Sequence, residues 1–335
     1  MRSRSAADTI LPIGKLEPEL LKTLLPRAAK NRGVWLGAAV GEDAAVVAAT
    51  AQIVVTADPV TFATADPGRY AVAVNCNDIV AMGGEPRYFT ATVLMPIGST
   101  HGDVQRLFDQ LRLATADADI AWIGGHTEVS PTVTATVVCG SAIGVLFERP
   151  WSSAGARPGD RVVMTKWVGL EGTTLLAHER PQGCALGEQL EEVRSWLRQP
   201  GIDILAEGRA LAGLALNAAH DPTEGGVAQG LHEIASSSGM RIRVQRHLLP
   251  LRPETTHVCR AFGLDPLGLL ASGSLLFTAP AGVIEPALQR LAEVGVAATV
   301  VGVVEAGSGV TLGDDSGEHE LPHFVQDEVV RALGA

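Results

Sequence analysis

Lysine is scarce in this chain: Lys15, Lys22, Lys30 and Lys166 are the only ones. None follows a Gly-x-x-x-x-Gly-Lys-Ser/Thr spacing, which excludes the common phosphate loop. A formal net charge of -11 argues against nonspecific binding to nucleic acid or to an anionic membrane, since both need a basic face to displace counterions. Cysteine is sparse and dispersed. Cys76, Cys139, Cys184 and Cys259 form no Cys-x-x-Cys pair and have no histidine at zinc-binding spacing, so reduced thiols in a cytoplasmic protein are expected. Cys76 is read as a small buried residue. No apolar run approaches the roughly 20 residues needed to cross a bilayer, and the polar, mixed beginning does not read as a signal peptide. There is no short-period repeat or low-complexity block.

What is present is material for a large core. The 335 residues are 46% hydrophobic and 19% charged, enough for two ordinary domains. Leu16, Leu20, Leu21, Leu24, Leu25 and Ala28 recur at helical spacing, with Pro18 suited to a first turn. Short β-rich runs follow at 44–48 and 53–56, then a helix over 68–82, a strand over 88–95 and a helix over 101–116. Strands at 120–123 and 133–147 are expected to close an α+β half with mostly antiparallel pairing. The Ser-, Ala-, Gly- and Pro-rich stretch 150–160 reads as a boundary, giving domains 1–150 and 151–335. The second domain is expected to carry strands at 161–165, 274–278 and 297–304. Its helices are expected at 169–178, 202–214, 227–236 and 284–294, with a last one at 326–333 after a glycine-rich, acidic tail.

Five acidic motifs fall where apolar elements give way to glycine. They are GEDAAVV at 41–47, TADP at 56–59, NCNDIVAMGGEP at 75–86, GGHTEV at 124–129 and DPTEGG at 221–226. Carboxylates on rigid element ends repel one another and cost desolvation energy unless a hard cation such as Mg²⁺ bridges them to phosphate oxygens. Asp43 and Asp58 would each be ordinary turn aspartates if they stood alone. Asp78 differs, because it sits within an apolar helical segment where an unpartnered carboxylate is costly; Asn75 and Asn77 offer hydrogen bonds there. In GGHTEV, Gly124 and Gly125 let backbone approach a ligand, Glu128 could transfer protons, and His126 could serve as a base or as a metal ligand. A lone loop histidine more often does neither. In DPTEGG, Asp221, Thr223, Glu224, Gly225 and Gly226 precede a helix whose free amides can face phosphate. Capping by Thr223 is the plainer account, although the extra acids exceed what a cap needs. Glu171, in GLEGTTLLA, is a second glycine-acid approach to a helix.

In this order, together with LDPLGLLASGSLLF, the motifs resemble the aminoimidazole-ribonucleotide-synthetase superfamily of ATP-using enzymes, over about 14–304. The opening GKLEPELL is similar to that of the HypE-type hydrogenase maturation proteins, whose members dehydrate an S-carbamoylated cysteine with ATP. The resemblance implies a two-domain PurM-like fold, with an N-terminal domain pairing across a homodimer through its strands, an α/β C-terminal domain and a nucleotide in the cleft between them. It implies ATP and Mg²⁺ held by Asp43, Asp58 and Asp78, with Asp221, Thr223, Gly225 and Gly226 helping to hold ATP, and Glu224 tilting the site toward a second metal.

Two departures stand out. The HypE branch ends in a Pro-Arg-Ile-Cys tail, whereas this chain ends Arg331-Ala332-Leu333-Gly334-Ala335 with no cysteine after Cys259. The branch's Gly-Asp-Thr-Lys stands here as Gly125-His126-Thr127-Glu128. The expectation is phosphoryl transfer from Mg-ATP to an amide or carbonyl oxygen of a small-molecule or amide substrate, with Glu128, Glu171 and His126 as candidates for proton transfer. A small-molecule kinase of the thiamine-monophosphate type, or a nucleotide-binding partner without catalysis, are the alternatives.

Overall fold

The computed structural model describes residues 14–15, 20, 23–24, 34–36, 46–47, 52–61, 65–324 and 326–334. The chain divides into two compact units, 1–79 with 86–146, and 80–85 with 147–335. Asp43 and most of the first expected helix lie outside the described residues.

The described elements through the first unit are β1 (Gly14–Lys15), β2 (Val34–Leu36), β3 (Val46–Val47), β4 (Ile53–Thr56), β5 (Pro59–Val60), α1 (Pro67–Ala81), β6 (Gly84–Met95), α2 (His101–Asp117), β7 (Ala121–Val129) and β8 (Val137–Leu146). One six-stranded sheet runs β1-β7-β6-β8-β4, with β5 also on β8. Pairing is antiparallel for β1–β7, β4–β8 and β5–β8, and parallel for β6–β7. Local chemistry accounts for α2. Thr100 accepts from the Asp103 amide at 3.2 Å while the Asp103 carboxylate accepts from the Thr100 amide at 2.8 Å, a reciprocal cap. Its buried face, Val104, Leu107, Phe108, Leu111, Ala114 and Thr115, keeps three-and-four spacing. Each large apolar side chain buried this way contributes about 1.5–3 kcal/mol before entropy is counted.

One expectation fails in this unit. The strand expected to stop before the glycines of GGHTEV continues through them to Val129, in parallel register with 90–95. Glycine is required there for contact with the neighbouring strand: a Cβ on Gly125 would lie 1.9 Å from the Ala91 carbonyl oxygen. His126 is therefore a strand residue rather than a loop residue.

The second unit contains β9 (Arg161–Thr165), α3 (Leu170–Glu179), α4 (Leu190–Ser195), α5 (Leu205–Leu211), β10 (Ala218–His220), α6 (Gly226–Ser238), β11 (Arg241–Gln245), α7 (Pro253–Phe262), β12 (Leu276–Ala279), α8 (Ala281–Glu293), β13 (Ala298–Glu305), β14 (Gly309–Asp314), β15 (Gly317–Glu320) and α9 (Glu328–Leu333). Its seven-stranded sheet runs β10-β12-β9-β13-β11-β14-β15. Val162 and Met164 of β9, Ile242 and Val244 of β11 and Leu312 of β14 pack with Val227, Leu231 and Ile234 of α6 in one core. The tail, read only as glycine-rich and acidic, forms the β14–β15 hairpin, and α7 was not expected at all. Lys166 is buried. Its ammonium donates to the Asp203 and Gly273 carbonyls at 2.6 and 2.7 Å and pairs with Glu207 at 2.9 Å, tying three loops together.

Candidate functional site

Within the first unit, TADP and NCNDIV meet through α1. Most of that helix is buried, and beyond its first turn only Val74 and Asp78, one turn apart, are partly exposed. Asp78 is thus partly exposed rather than deep in the core. Its Oδ2 accepts from the Thr56 hydroxyl at 2.6 Å. Three residues earlier Asn75 is fully buried and acts as a buckle, its Oδ1 accepting from the Asp58 amide at 2.9 Å. Its Nδ2 donates to the Ala71 carbonyl at 2.8 Å and the Asp58 carbonyl at 3.2 Å. The Asn75 amide is consequently spent inside the protein, where it fixes Asp58 instead of presenting polar atoms to a ligand. Gly140 makes room for it, since a Cβ there would stand 2.3 Å from Asn75 Nδ2. The segments that carry Asp58 and Asp78 are brought together; Asp43 lies outside the described residues.

Gly124, Gly125, His126 and Glu128 stand apart from that pair. β7 and β4 are separated by β6 and β8, which at normal strand spacing is about 14 Å across the sheet. His126 and Glu128 share one face of β7, with Nε2 and Oε2 3.3 Å apart, and both remain partly open to solvent.

In the second unit, DPTEGG makes the turn from β10 into α6. Gly225 and Gly226 take φ of 78° and 63°, and a Cβ on Gly226 would lie 2.5 Å from the Leu267 carbonyl oxygen, so glycine is required. The amides expected to face phosphate have partners already: Gly225 N donates to Asp327 Oδ2 at 2.8 Å and Gly226 N to the Thr223 carbonyl at 3.0 Å. Asp327 also accepts from the amides of Val329 and Leu270 at 2.7 and 3.4 Å. Asp221 is buried at the end of β10. A cavity of about 490 Å³ opens over this turn, and Thr223, Glu224, Glu233 and Asp327 are among its walls.

Glu171, in the first turn of α3, is only 6% exposed. Burial pushes its carboxyl up to about 7 against hydrogen bonding from Ser272, and the charges of Glu224 and Asp327 push the same way. Burial likewise raises Asp327 to about 6, opposed by its three amide donors. Such a pair, holding protons near neutrality, suits acid–base work.

Sequence reading missed Asp327 altogether, because its partner Gly225 is 102 residues away and the acidic tail gives no local sign of it. It also missed the Glu233–His220 pair at 2.6 Å and the stacked rings of His232 and His323, whose centroids are 3.6 Å apart.

Comparison with known proteins gives this geometry a lineage. Residues 41–146 match the N-terminal domain and 157–315 the C-terminal domain of AIR synthase related proteins. The carbamoyl dehydratase HypE of Rhodobacter capsulatus is 31% identical over 292 residues, covering 86% of this chain and 84% of that protein. The thiamine-monophosphate kinase of Pyrococcus abyssi is 29% identical over 253 residues, covering 74% of each. Among solved structures, the hydrogenase maturation protein HypE in complex with ATP superposes with a TM-score of 0.73 at 24% identity, covering 87% of this chain and 90% of that one. With both domain matches in order and a HypE relative aligned over most of its length, the chain belongs to the AIR synthase related family, PurM-like in fold and HypE-like in sequence.

Proposed function

We propose that this protein is an ATP-dependent enzyme that transfers a phosphoryl group from Mg-ATP to an amide or carbonyl oxygen of its substrate. The meeting of the 56–58 segment with α1, through Thr56 to Asp78 and through the Asp58 backbone to Asn75, carries the reading. Mg²⁺ commonly takes one or two carboxylates and completes its shell with phosphate oxygens and water. These two acids fit that donor set. Among the described residues no three of His, Cys, Asp or Glu gather to hold an ion, so an all-protein cage is not what they offer. Asp43 and Asp221 are the further contacts that the family motifs suggest. When bound, the ion offsets charge on the transferred phosphoryl group.

The remaining work falls to the chain itself. Thr56 orients the Asp78 carboxylate by donating to Oδ2, and Asn75 fixes the backbone of Asp58. Glu171, with its carboxyl near neutrality, is the group best matched to moving a proton at working pH; His126 and Glu128 are the alternatives on β7. The direct test is titration of the protein with Mg²⁺ and the non-hydrolysable analogue AMPPCP. Asp78→Asn is expected to weaken binding at least tenfold with little change in melting temperature, whereas equal affinity in the variant and the parent sinks the assignment.

A second reading, kinase action on a small phosphorylated acceptor, is favoured by acidic Glu224 and by the Pyrococcus abyssi relative. Incubation with Mg-ATP and thiamine monophosphate, followed by phosphorus NMR, separates the two. A diphosphate product would replace the first reading by the second. We further infer a homodimer that works in the cytoplasm. Among the described residues no helix is long and apolar enough to cross a membrane.

A further inference from the structure

Lys166 carries two costs that stability does not explain. Its backbone stands at φ 52°, in the left-handed region that residues other than glycine rarely adopt. Its ammonium is also buried beside Glu207, which is wholly so. A buried ion pair can often be replaced by apolar residues of like volume without loss of stability, so stability alone does not call for this one. What the pair holds is a turn. The three N–H groups of the ammonium are all spent, on the carbonyls of Asp203 at 2.6 Å and Gly273 at 2.7 Å and on Glu207 Oε1 at 2.9 Å. The neighbours of Lys166 grip the same turn. Thr165 donates from its amide to the Leu275 carbonyl at 3.0 Å, and its hydroxyl accepts from the Leu275 amide at 2.8 Å. The Ser274 hydroxyl donates to the Trp167 carbonyl at 2.9 Å, and that of Thr165 to Glu207 Oε1 at 3.3 Å. Gly273 is confined from the far side too, since a Cβ there would lie 2.7 Å from Ile202 Cα and 2.8 Å from Leu170 Cδ2. One residue earlier stands Ser272, 1% exposed, whose hydroxyl and amide lie against the Glu171 carboxyl. That contact is loose: neither Ser272 Oγ nor Glu171 Oε2 completes a hydrogen bond of ordinary geometry among the described residues. Hydrogen bonds weaken steeply with angle and distance, so its strength depends on where the turn is held.

We propose that Lys166 is a positioning residue: by clamping the Gly273 carbonyl it holds Ser272 against the carboxyl of Glu171, the group assigned above to moving a proton. This rests on that reading of Glu171 and adds the device that aims it. The charges that push Glu171 upward are those of Glu224 and Asp327. Lys166 is neutralised by Glu207 at 2.9 Å, so its influence travels through the turn rather than through its field. Lys166 has no donor left for a phosphate, which separates it from a lysine that binds nucleotide directly.

The test follows the infrared band of the protonated Glu171 carboxyl across pH in the full chain, assigned by its absence in Glu171→Gln. Lys166→Met and Glu207→Gln are introduced together, because either alone leaves a buried charge unpaired. Ser272→Ala removes the hydroxyl and keeps the backbone. Both variants are expected to raise the midpoint from about 7, by roughly one pH unit, since a contact that favours the charged carboxylate is lost. Adding Ser272→Ala to the paired variant is expected to shift it no further, because the two changes act through one contact. Lys166→Ala in ethylammonium chloride, which refills the place of the ammonium, is expected to recover the parent's melt and midpoint together. An unmoved midpoint in the paired variant or in Ser272→Ala overturns the proposal. So do additive shifts, or ethylammonium that restores the melt and leaves the midpoint displaced, as a merely structural lysine would. ATP turnover by Glu171→Gln is read separately: full turnover removes the proton-transfer role, while the midpoints still judge the clamp.

Discussion

Glu171 is a strain on the fold that its proposed part in proton transfer would put to use. In the folded protein its carboxyl keeps a proton up to about pH 7, whereas an ordinary glutamate releases it near 4.5. The folded pKa is raised, so the stabilisation is complete below 4.5 and is lost as pH climbs through 7. A difference of that size corresponds to about 3 kcal/mol. Asp327, raised to about 6, adds a loss of the same sign over an overlapping range. Urea unfolding at pH 5 and pH 8 is expected to show the parent losing more stability than Glu171→Gln, whose side chain does not titrate. Equal losses in the two proteins would remove Glu171 as the buried proton holder. Burial of Glu171 also leaves its Oε2 without a hydrogen bond, whereas both Asp327 oxygens are bonded.

At the scale of the element, the turn into α6 is the most constrained piece of backbone in the site. Gly226 is held at φ 63°, and an added Cβ would meet two carbonyl oxygens, of Leu267 at 2.5 Å and Leu269 at 2.6 Å. Backbone cannot yield as a flexible side chain does. Gly226→Ala is therefore expected to cost about 2–4 kcal/mol, read as a lowered denaturation midpoint with an unchanged slope. A cost under about 0.5 kcal/mol would mean that the turn relaxes freely. This turn was legible in the sequence because its signals are local: two glycines after an acid and before an apolar helical period. α1 was legible for the same reason, through the glycines Gly83–Gly84 that follow it, and α2 through its polar-apolar spacing over 101–116. GGHTEV misled because paired glycines read as a loop, while here glycine serves the close approach of β7 to Ala91, a contact made across strands. The environment of Asp78 was half legible. Its apolar surroundings were plain, but the partial exposure it shares with Val74 depends on what packs around the other faces of α1. Asp327 had no local signal, since its meaning comes wholly from a contact made 102 residues away.

Across the whole molecule, scarcity of lysine and an excess of acid set the terms on which anything binds. A nucleotide must bring its own countercharge, and Mg²⁺ is the ordinary carrier; a cation can be met by carboxylates alone. The same economy of charge bears on assembly. Among the described residues β4 stands at the end of its sheet, and it presents Ile53 and Val55, 48% and 66% exposed, on alternate positions of one face. Apolar side chains in a row on an edge strand invite another chain unless they are covered or charged. A second copy meeting through these strands buries them, and like net charge on the two copies demands that the contact be apolar. Val55→Lys puts a charge on that face without altering α1, Asp58 or Asp78, and an exposed strand position tolerates it with little loss of stability. Sedimentation of the parent is expected to show a dimer and the variant a monomer at the same loading, with nucleotide affinity then reporting whether each copy's patch is complete by itself. A parent that sediments as a monomer would mean that Ile53 and Val55 are left to solvent.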